Sequence, residues 1–186
     1  MRLQLICMVF VTLLGSALSS RPLLAQGKFV TSTGNTKFSS ETPLENVNAE
    51  NKKSQVILNT ANNEIAIRMN MREFVFPNKL MQEHFNENYI ESSKYPTATF
   101  SGKVDNAPDY SKDGQYDVSA TGKFTVHGVT KARTIKGKMK IGDGKITINS
   151  DFEVPLTDHK IEVPQVVFVK IAQVISVKAQ YVLDPK

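Results

Sequence analysis

The chain has 186 residues, of which 40% are hydrophobic and 22% are charged, and its formal net charge is +5. This length suits one domain with a sizeable core, and no second domain is required. The positive charge is mild, tryptophan is absent, and the aromatic residues are not interleaved with basic ones. The composition therefore argues against a surface for nucleic acid.

Residues 1–25 are predicted to be a secretory signal peptide. A positively charged start precedes an apolar run over residues 3–18, and Ala25 offers a cleavage site. The run is shorter than a membrane-spanning helix needs, although an uncleaved anchor is an open alternative. Cys7, the one cysteine, would leave with the signal, so the mature chain would have no disulfide. We expect a single exported domain over residues 26–186, located in the periplasm or secreted.

The first part of this domain predicts several strands. Residues 27–40 predict a pair of weak strands, and residues 44–49 and 54–59 predict two more. The asparagines at 62–63 are typical of a turn. They lead into a clearer strand over 65–71, where apolar and polar residues alternate with a period of two.

One short helix is predicted near residues 77–89. After Pro77 the apolar positions change from a spacing of two to helical spacing, and proline is well tolerated in a first helical turn. Leu80, Met81 and Phe85 form the apolar edge of this helix. We expect that edge to cover one end of the sheet, with methionine giving an adaptable surface.

The stretch 116–154 predicts three strands joined by two tight turns. Apolar and polar residues alternate along each strand, as expected when one face of a sheet is buried. Gly128 and Val129 are predicted as the centre of the first turn, because glycine can adopt the positive φ that a two-residue hairpin requires. Asp143 and Gly144 are predicted as the centre of the second turn.

The register set by these turns predicts a row of small side chains across the apolar face. Ala120 would face Gly137, and Gly137 would face Ser150. Protein interiors are close-packed, so a row of undersized residues favours a hollow inside the fold. The alternative is that phenylalanine or methionine side chains from elsewhere in the chain fill this space.

The whole pattern predicts an all-β fold, an antiparallel barrel of about eight strands with one helix. Further strands are predicted over 97–104 and 174–183, and the connections are short. An immunoglobulin-like sandwich is the alternative architecture. It would not explain the helix, and the cysteine pair of many such domains is missing.

Two sequence blocks resemble the YceI-like family. They are residues 94–100 (KYPTATF) and 122–131 (GKFTVHGVTK), and the segment 150–152 (SDF) also fits. The resemblance covers nearly all of the domain. It implies a lipocalin-like extended antiparallel barrel, exported to the periplasm or beyond, that holds a polyisoprenoid or similar long-chain lipid. It implies no catalytic residues.

In such a barrel the inward-facing apolar residues would line the ligand. The predicted lining residues are Ile67, Met69, Leu80, Met81, Phe85, Ala120, Gly137, Met139, Ile148, Ser150 and Phe152. Lys131 and Arg133 fall on the apolar face near the rim, where an arginine could bind a lipid phosphate with two hydrogen bonds. The alternative is that both side chains point to solvent.

No metal or cofactor is predicted, because the three histidines are too scattered in the sequence for a metal motif. Asp158 and His159 could belong to a hydrolase if they converged with a serine, but no nucleophile elbow is present. The sequence therefore predicts a non-enzymatic carrier of a lipid, with transient membrane contact. The alternative is a structural or interaction module whose barrel is filled by its own side chains.

Overall fold

The computed structural model describes residues 27–186 and, at 166–168, the backbone alone. The predicted signal peptide lies outside the described residues. The chain forms a closed barrel in which each strand pairs with the next and β8 pairs with β1. The strands are β1 Lys28–Glu41, β2 Asn46–Asn59, β3 Glu64–Asn70, β4 Thr97–Val104, β5 Gly114–Val126, β6 Val129–Gly142, β7 Lys145–Pro155 and β8 Val174–Pro185. The predicted all-β antiparallel barrel is confirmed.

The first two strands are longer than predicted. The weak pair predicted over 27–40 is the single strand β1, and the two strands predicted over 44–59 are the single strand β2. The pairing of β1 with β2 shifts register on both sides of Gly34. Such bulges bend a strand and break its alternation without ending it. For this reason the sequence pattern of β1 resembles two strands.

The predicted centre of the first hairpin was wrong. The turn is formed by His127 and Gly128, whose φ angles are 50° and 71°, and Val126 pairs with Val129. Positive φ at both central residues is the geometry of a type I′ turn, which suits the twist of a hairpin. The sequence argument assumed that only glycine adopts positive φ at the turn centre. It therefore placed the centre of the turn one residue too late in the chain.

The corrected turn changes the pairing of β5 with β6. Ala120 lies opposite Ile135, and Gly137 lies opposite Val118. The predicted row that joined Ala120 to Gly137 therefore does not exist. The second turn is where it was predicted, at Asp143 and Gly144, and Met139 pairs with Ile148 as expected.

One end of the barrel is solid. The turn after β2, the loop 105–113 and the turn after β6 meet there, and Tyr110 of that loop packs against the core. Burial raises the pKa of Tyr110 to about 12. The plug beneath is made of side chains without measurable exposure: Leu58, Met139, Ile146 and Leu183.

The opposite end carries the longer connections, including the predicted helix. Helix α1 spans Lys79–His84 and continues into a π-helical turn over Phe85–Tyr89. The Asn78 side chain accepts a hydrogen bond from the backbone N–H of Leu80 at 2.9 Å and so caps the helix. Among residues 27–186, no helix is long and apolar enough to cross a membrane.

Candidate functional site

A cavity of about 400 Å³ lies inside the barrel beside α1, at the end opposite the solid plug. This volume is within the range of pockets that hold small organic ligands. Its walls are mainly apolar and come from β1, β7, β8, α1 and the segments that flank the helix. A chain of apolar carbon atoms would therefore meet matching surface on all sides.

Aromatic side chains form one wall of this large cavity. Phe38 of β1 stacks on Phe85 of the π-helical turn with ring centroids 5.4 Å apart. Phe74 and Phe76 lie 5.2 and 5.7 Å from Phe38, which makes one connected cluster. Aromatic pairs at such distances stabilise one another beyond their burial. The cluster holds α1 against the barrel and leaves the cavity open beneath it.

Polar side chains lie around the mouth of the large cavity. Glu45, Tyr89 and Lys170 belong to its lining, and Lys170 Nζ lies 3.9 Å from Glu45 Oε2. Burial raises the pKa of Tyr89, and the nearby negative charge of Glu45 raises it further. The site is therefore polar at its entrance and apolar within, an arrangement that suits an amphiphile.

A smaller cavity of about 60 Å³ lies deeper in the barrel. Thr36, Met69, Phe124 and Phe152 line both cavities and separate them. We call these side chains the partition. The deeper space is small because long side chains of neighbouring strands fill the barrel at that level.

Tyr181 is the main filler of the deeper space. Its ring packs against Gly34, where a Cβ atom would lie only 2.6 Å from Tyr181 Cδ1. Its hydroxyl is 2.9 Å from Thr36 Oγ1, which is also 2.9 Å from Ser54 Oγ. Burial raises the pKa of Tyr181 to about 12. The phenol therefore stays neutral and the buried polar groups satisfy one another.

The predicted lining residues fall into three groups. Leu80, Met81 and Phe85 line the large cavity, and Met69 and Phe152 belong to the partition. The others line only the small cavity: Ile67, Ala120, Gly137, Met139, Ile148 and Ser150. The structure thus places the larger hollow beside α1 and not at the row of small residues.

Neither predicted head-group residue belongs to the lining of the large cavity. Lys131 is exposed, whereas Arg133 is half-buried and its guanidinium lies 5.9 Å from the Phe124 ring centre and 5.3 Å from that of Phe152. Arg133 also donates a hydrogen bond to the backbone carbonyl of Glu153. Its guanidinium thus packs against two of the partition side chains. Among the described lining residues, the lysine at the cavity mouth is Lys170.

The sequence argument missed the aromatic wall and Lys170. Phe74 and Phe76 stand in a short strand-like segment before Pro77, and nothing in that pattern shows that their side chains line a cavity. Lys170 stands in an irregular stretch without any period. Only the closure of the barrel brings these residues to one mouth.

His159 is fully buried next to the first hairpin. Its Nδ1 donates to the backbone carbonyl of Val129 at 3.1 Å, and its Nε2 has no hydrogen-bond partner. His127 Nδ1 in turn donates to the carbonyl of His159 at 3.0 Å. The described hydrogen bonds of His159 thus join chain segments and include none to a serine. Within residues 27–186, no cluster of three metal-binding side chains occurs.

The buried His159 predicts a loss of stability in weak acid. Burial lowers its pKa, and Arg133 adds to this, while Asp158 and the carbonyls of Val129 and Val126 act in the opposite direction. Below about pH 6.5 the His159 side chain of the unfolded chain binds a proton. In the folded chain the same side chain stays neutral until the pH reaches its lower pKa. The free energy of unfolding should therefore fall as the pH drops from about 6.5 towards the lower pKa of the folded state.

Chemical denaturation at several pH values checks this. His159→Gln should flatten the decline, and His84→Gln, at an exposed histidine, should leave it as in the parent protein. An unchanged slope in His159→Gln would show that other groups cause the acid sensitivity.

One family model matches most of the chain. The model of the YceI-like domain matches residues 24–183. A polyisoprenoid binding domain from Saccharophagus degradans, implicated in plant cell wall breakdown, is 15% identical with a TM-score of 0.72, over 87% of this chain and 99% of that one. BcnA of Burkholderia cenocepacia is 14% identical with a TM-score of 0.67, over 81% and 95%.

The Campylobacter jejuni YceI protein is 14% identical with a TM-score of 0.57, over 74% of this chain and 84% of that one. Comparison with curated protein sequences finds no significant match. At these identities the structural similarity shows a shared fold, whereas the domain match covers most of the chain. The chain belongs to the YceI-like family.

Proposed function

We propose that this protein is an exported carrier that sequesters a polyisoprenoid or similar long-chain lipid inside its barrel. The observation that carries the proposal is the apolar cavity of about 400 Å³ with polar groups at its mouth. The family and the polyisoprenoid binding domain of similar fold support the same ligand class. The tail would lie among the phenylalanines and the head group would lie near Lys170.

The hydrophobic effect is sufficient for such binding. Each buried methylene contributes about 0.8 kcal/mol, so about ten buried methylenes supply about 8 kcal/mol, which corresponds to a micromolar Kd. Ordering of the chain and the protein reduces this gain. Because the cavity is preformed, ordering of the protein costs little free energy.

The carrier proposal includes export and excludes catalysis. The predicted signal peptide over residues 1–25 supports delivery to the periplasm or to the medium. The binding role of a similar domain and the structural hydrogen bonds of His159 support a protein that holds its ligand unchanged. The second candidate, a structural or interaction module, would have a barrel filled by its own side chains.

Native mass spectrometry of the mature protein tests the proposal. The protein is incubated with a polyprenyl phosphate in detergent and transferred to a volatile buffer. We expect a complex of one lipid per chain. The lipid should also displace an apolar fluorescent probe from the protein. Absence of any bound amphiphile, after exposure to this lipid and to a total membrane-lipid extract, would contradict the carrier.

We also propose that the open end of the barrel contacts lipid bilayers when the ligand is exchanged. Leu44, Leu80 and Val169 are 67, 56 and 61% exposed. Leu80 itself lines the cavity, and the other two directly adjoin the lining residues Glu45 and Lys170. These apolar side chains surround the entrance, so a bilayer that covers them would also cover the path of the lipid.

Leu80→Ser should therefore weaken binding to vesicles of phosphatidylethanolamine and phosphatidylglycerol by about tenfold, since one leucine side chain contributes about 1.5 to 3 kcal/mol on burial. Vesicle sedimentation measures this. Ile57→Ser is the control, because Ile57 is 48% exposed on β2 near the closed end. Equal weakening by both variants, or by neither, would contradict this docking face.

A further inference from the structure

We infer that the partition between the two cavities limits the length of the lipid tail, and that Phe152 sets this limit. The inference rests on the proposed function and adds a chain-length preference to it. The large cavity extends from the mouth beside α1 to the partition, and the deeper cavity extends from there towards Tyr181. A tail that enters at the mouth therefore meets the partition as its end wall.

Three of the four partition side chains are buried, among them Met69 at 8% exposure, and Phe152 is the exception. Thr36 is 2% exposed and is held by hydrogen bonds to Tyr181 and Ser54. Phe124 is 4% exposed and lies edge-on to the buried His159 ring at 5.3 Å. These two side chains cannot move without breaking buried contacts.

Phe152 is held less firmly. It is only half-buried, and it meets Phe124 at a perpendicular angle with ring centres 6.0 Å apart. It stands on β7 beyond the last residue that pairs with β6, because those strands pair only as far as Lys138 and Asn149. The Arg133 guanidinium lies near both rings, 5.9 Å from the centre of Phe124 and 5.3 Å from that of Phe152. The Phe152 ring is therefore the replaceable part of the end wall.

Truncation of Phe152 should join the two spaces. The side chain lies between the large cavity of about 400 Å³ and the deeper cavity of about 60 Å³. Its removal would connect them and add the space that the ring now occupies. Beyond the deeper cavity the plug of Leu58, Met139, Ile146 and Leu183 still closes the barrel. The tail would gain a limited further length and not an open channel.

The test is a titration with linear prenyl monophosphates of increasing length. For the parent protein we expect the affinity to rise with each prenyl unit until the tail reaches the partition, and then to level off. Each buried methylene-sized group raises affinity about fourfold, so one fully buried unit should give at least tenfold. In Phe152→Ala the rise should continue for at least one more unit. In Phe152→Trp it should stop earlier.

Met81→Ala is the matched control, because Met81 lines only the large cavity. It should change the affinity for all lengths by a similar factor and leave the limit in place. Phe152→Leu gives a second, milder truncation if the alanine variant does not fold. If the Phe152 variants bind lipid but the affinity levels off at the same tail length as in the parent protein, the partition does not set the limit. The carrier proposal would then still stand. Absence of binding at every length in the parent protein would overturn the carrier itself.

Discussion

Substitution of Val177 by tryptophan should weaken lipid binding by at least tenfold and leave the free energy of unfolding unchanged or raised. Val177 lines the large cavity from β8 and pairs with Phe38 on one side and Phe152 on the other. It is only half-buried because part of its surface faces the hollow. A larger side chain would occupy the space that we assign to the lipid tail.

This variant separates the carrier from the self-filled module. Extra bulk in a fully packed interior costs about 1–3 kcal/mol, whereas extra bulk in an empty cavity costs little or stabilises the fold. Urea denaturation measures the stability, and displacement of a fluorescent lipid measures the affinity.

Val182→Trp is the control for Val177→Trp, because Val182 lies on the same strand and is 43% exposed on the outer face. It should change neither stability nor binding. A destabilised Val177→Trp protein that binds lipid as well as its parent would place the ligand elsewhere.

The second large effect is on stability, at the paired glycines of β4 and β5. Gly102 lies opposite Gly122, and a Cβ atom on Gly122 would overlap the Ser101 carbonyl oxygen and lie 2.6 Å from Gly102 Cα. Glycines at such sites allow a barrel wall to bend sharply. Gly122→Ala should therefore lower the free energy of unfolding by about 3 kcal/mol, because the backbone of β4 must move.

Gly142→Ala is the matched control for this prediction. A Cβ atom there would meet no other atom within 4 Å, so we expect a change within about 0.5 kcal/mol. Thermal and urea unfolding of both variants checks the difference. Equal stability of the two variants would show that the bend between β4 and β5 does not depend on glycine.

Most of the fold was readable from local patterns. Alternation defined the strands around 65–71 and 116–154, and the change to helical spacing after Pro77 located α1. These features depend on neighbours along the chain, which is why periodicity reveals them. The register of the first hairpin depends on distant residues and was missed.

The reason lies in the contacts of His127. A non-glycine residue at positive φ is unusual and needs support. His127 Nε2 hydrogen-bonds with Glu91 Oε2 at 2.9 Å, its Nδ1 contacts the His159 carbonyl, and its ring packs 4.4 Å from that of Tyr95. All three partners are about 30 or more positions away in the chain. No local pattern shows that they support the turn.

Only part of the candidate site could be predicted, because the rest also depends on contacts between distant parts of the chain. The apolar edge of α1 could be identified because helical spacing placed Leu80, Met81 and Phe85 together, and all three line the large cavity. The hollow was expected at the smallest side chains. There, however, Tyr181 of β8 fills the barrel from across the sheet, with Gly34 making room for its ring. Side-chain size in one strand does not show what the opposite wall contributes.

A crystal structure of the mature protein in complex with a polyprenyl phosphate tests the central claim most directly. The account predicts continuous density for the tail between Phe38, Phe85 and Val177, with the phosphate near Lys170 and the far end against Phe152. Density for the lipid on the outer surface, with the space beside α1 containing only solvent or rearranged side chains, would contradict it.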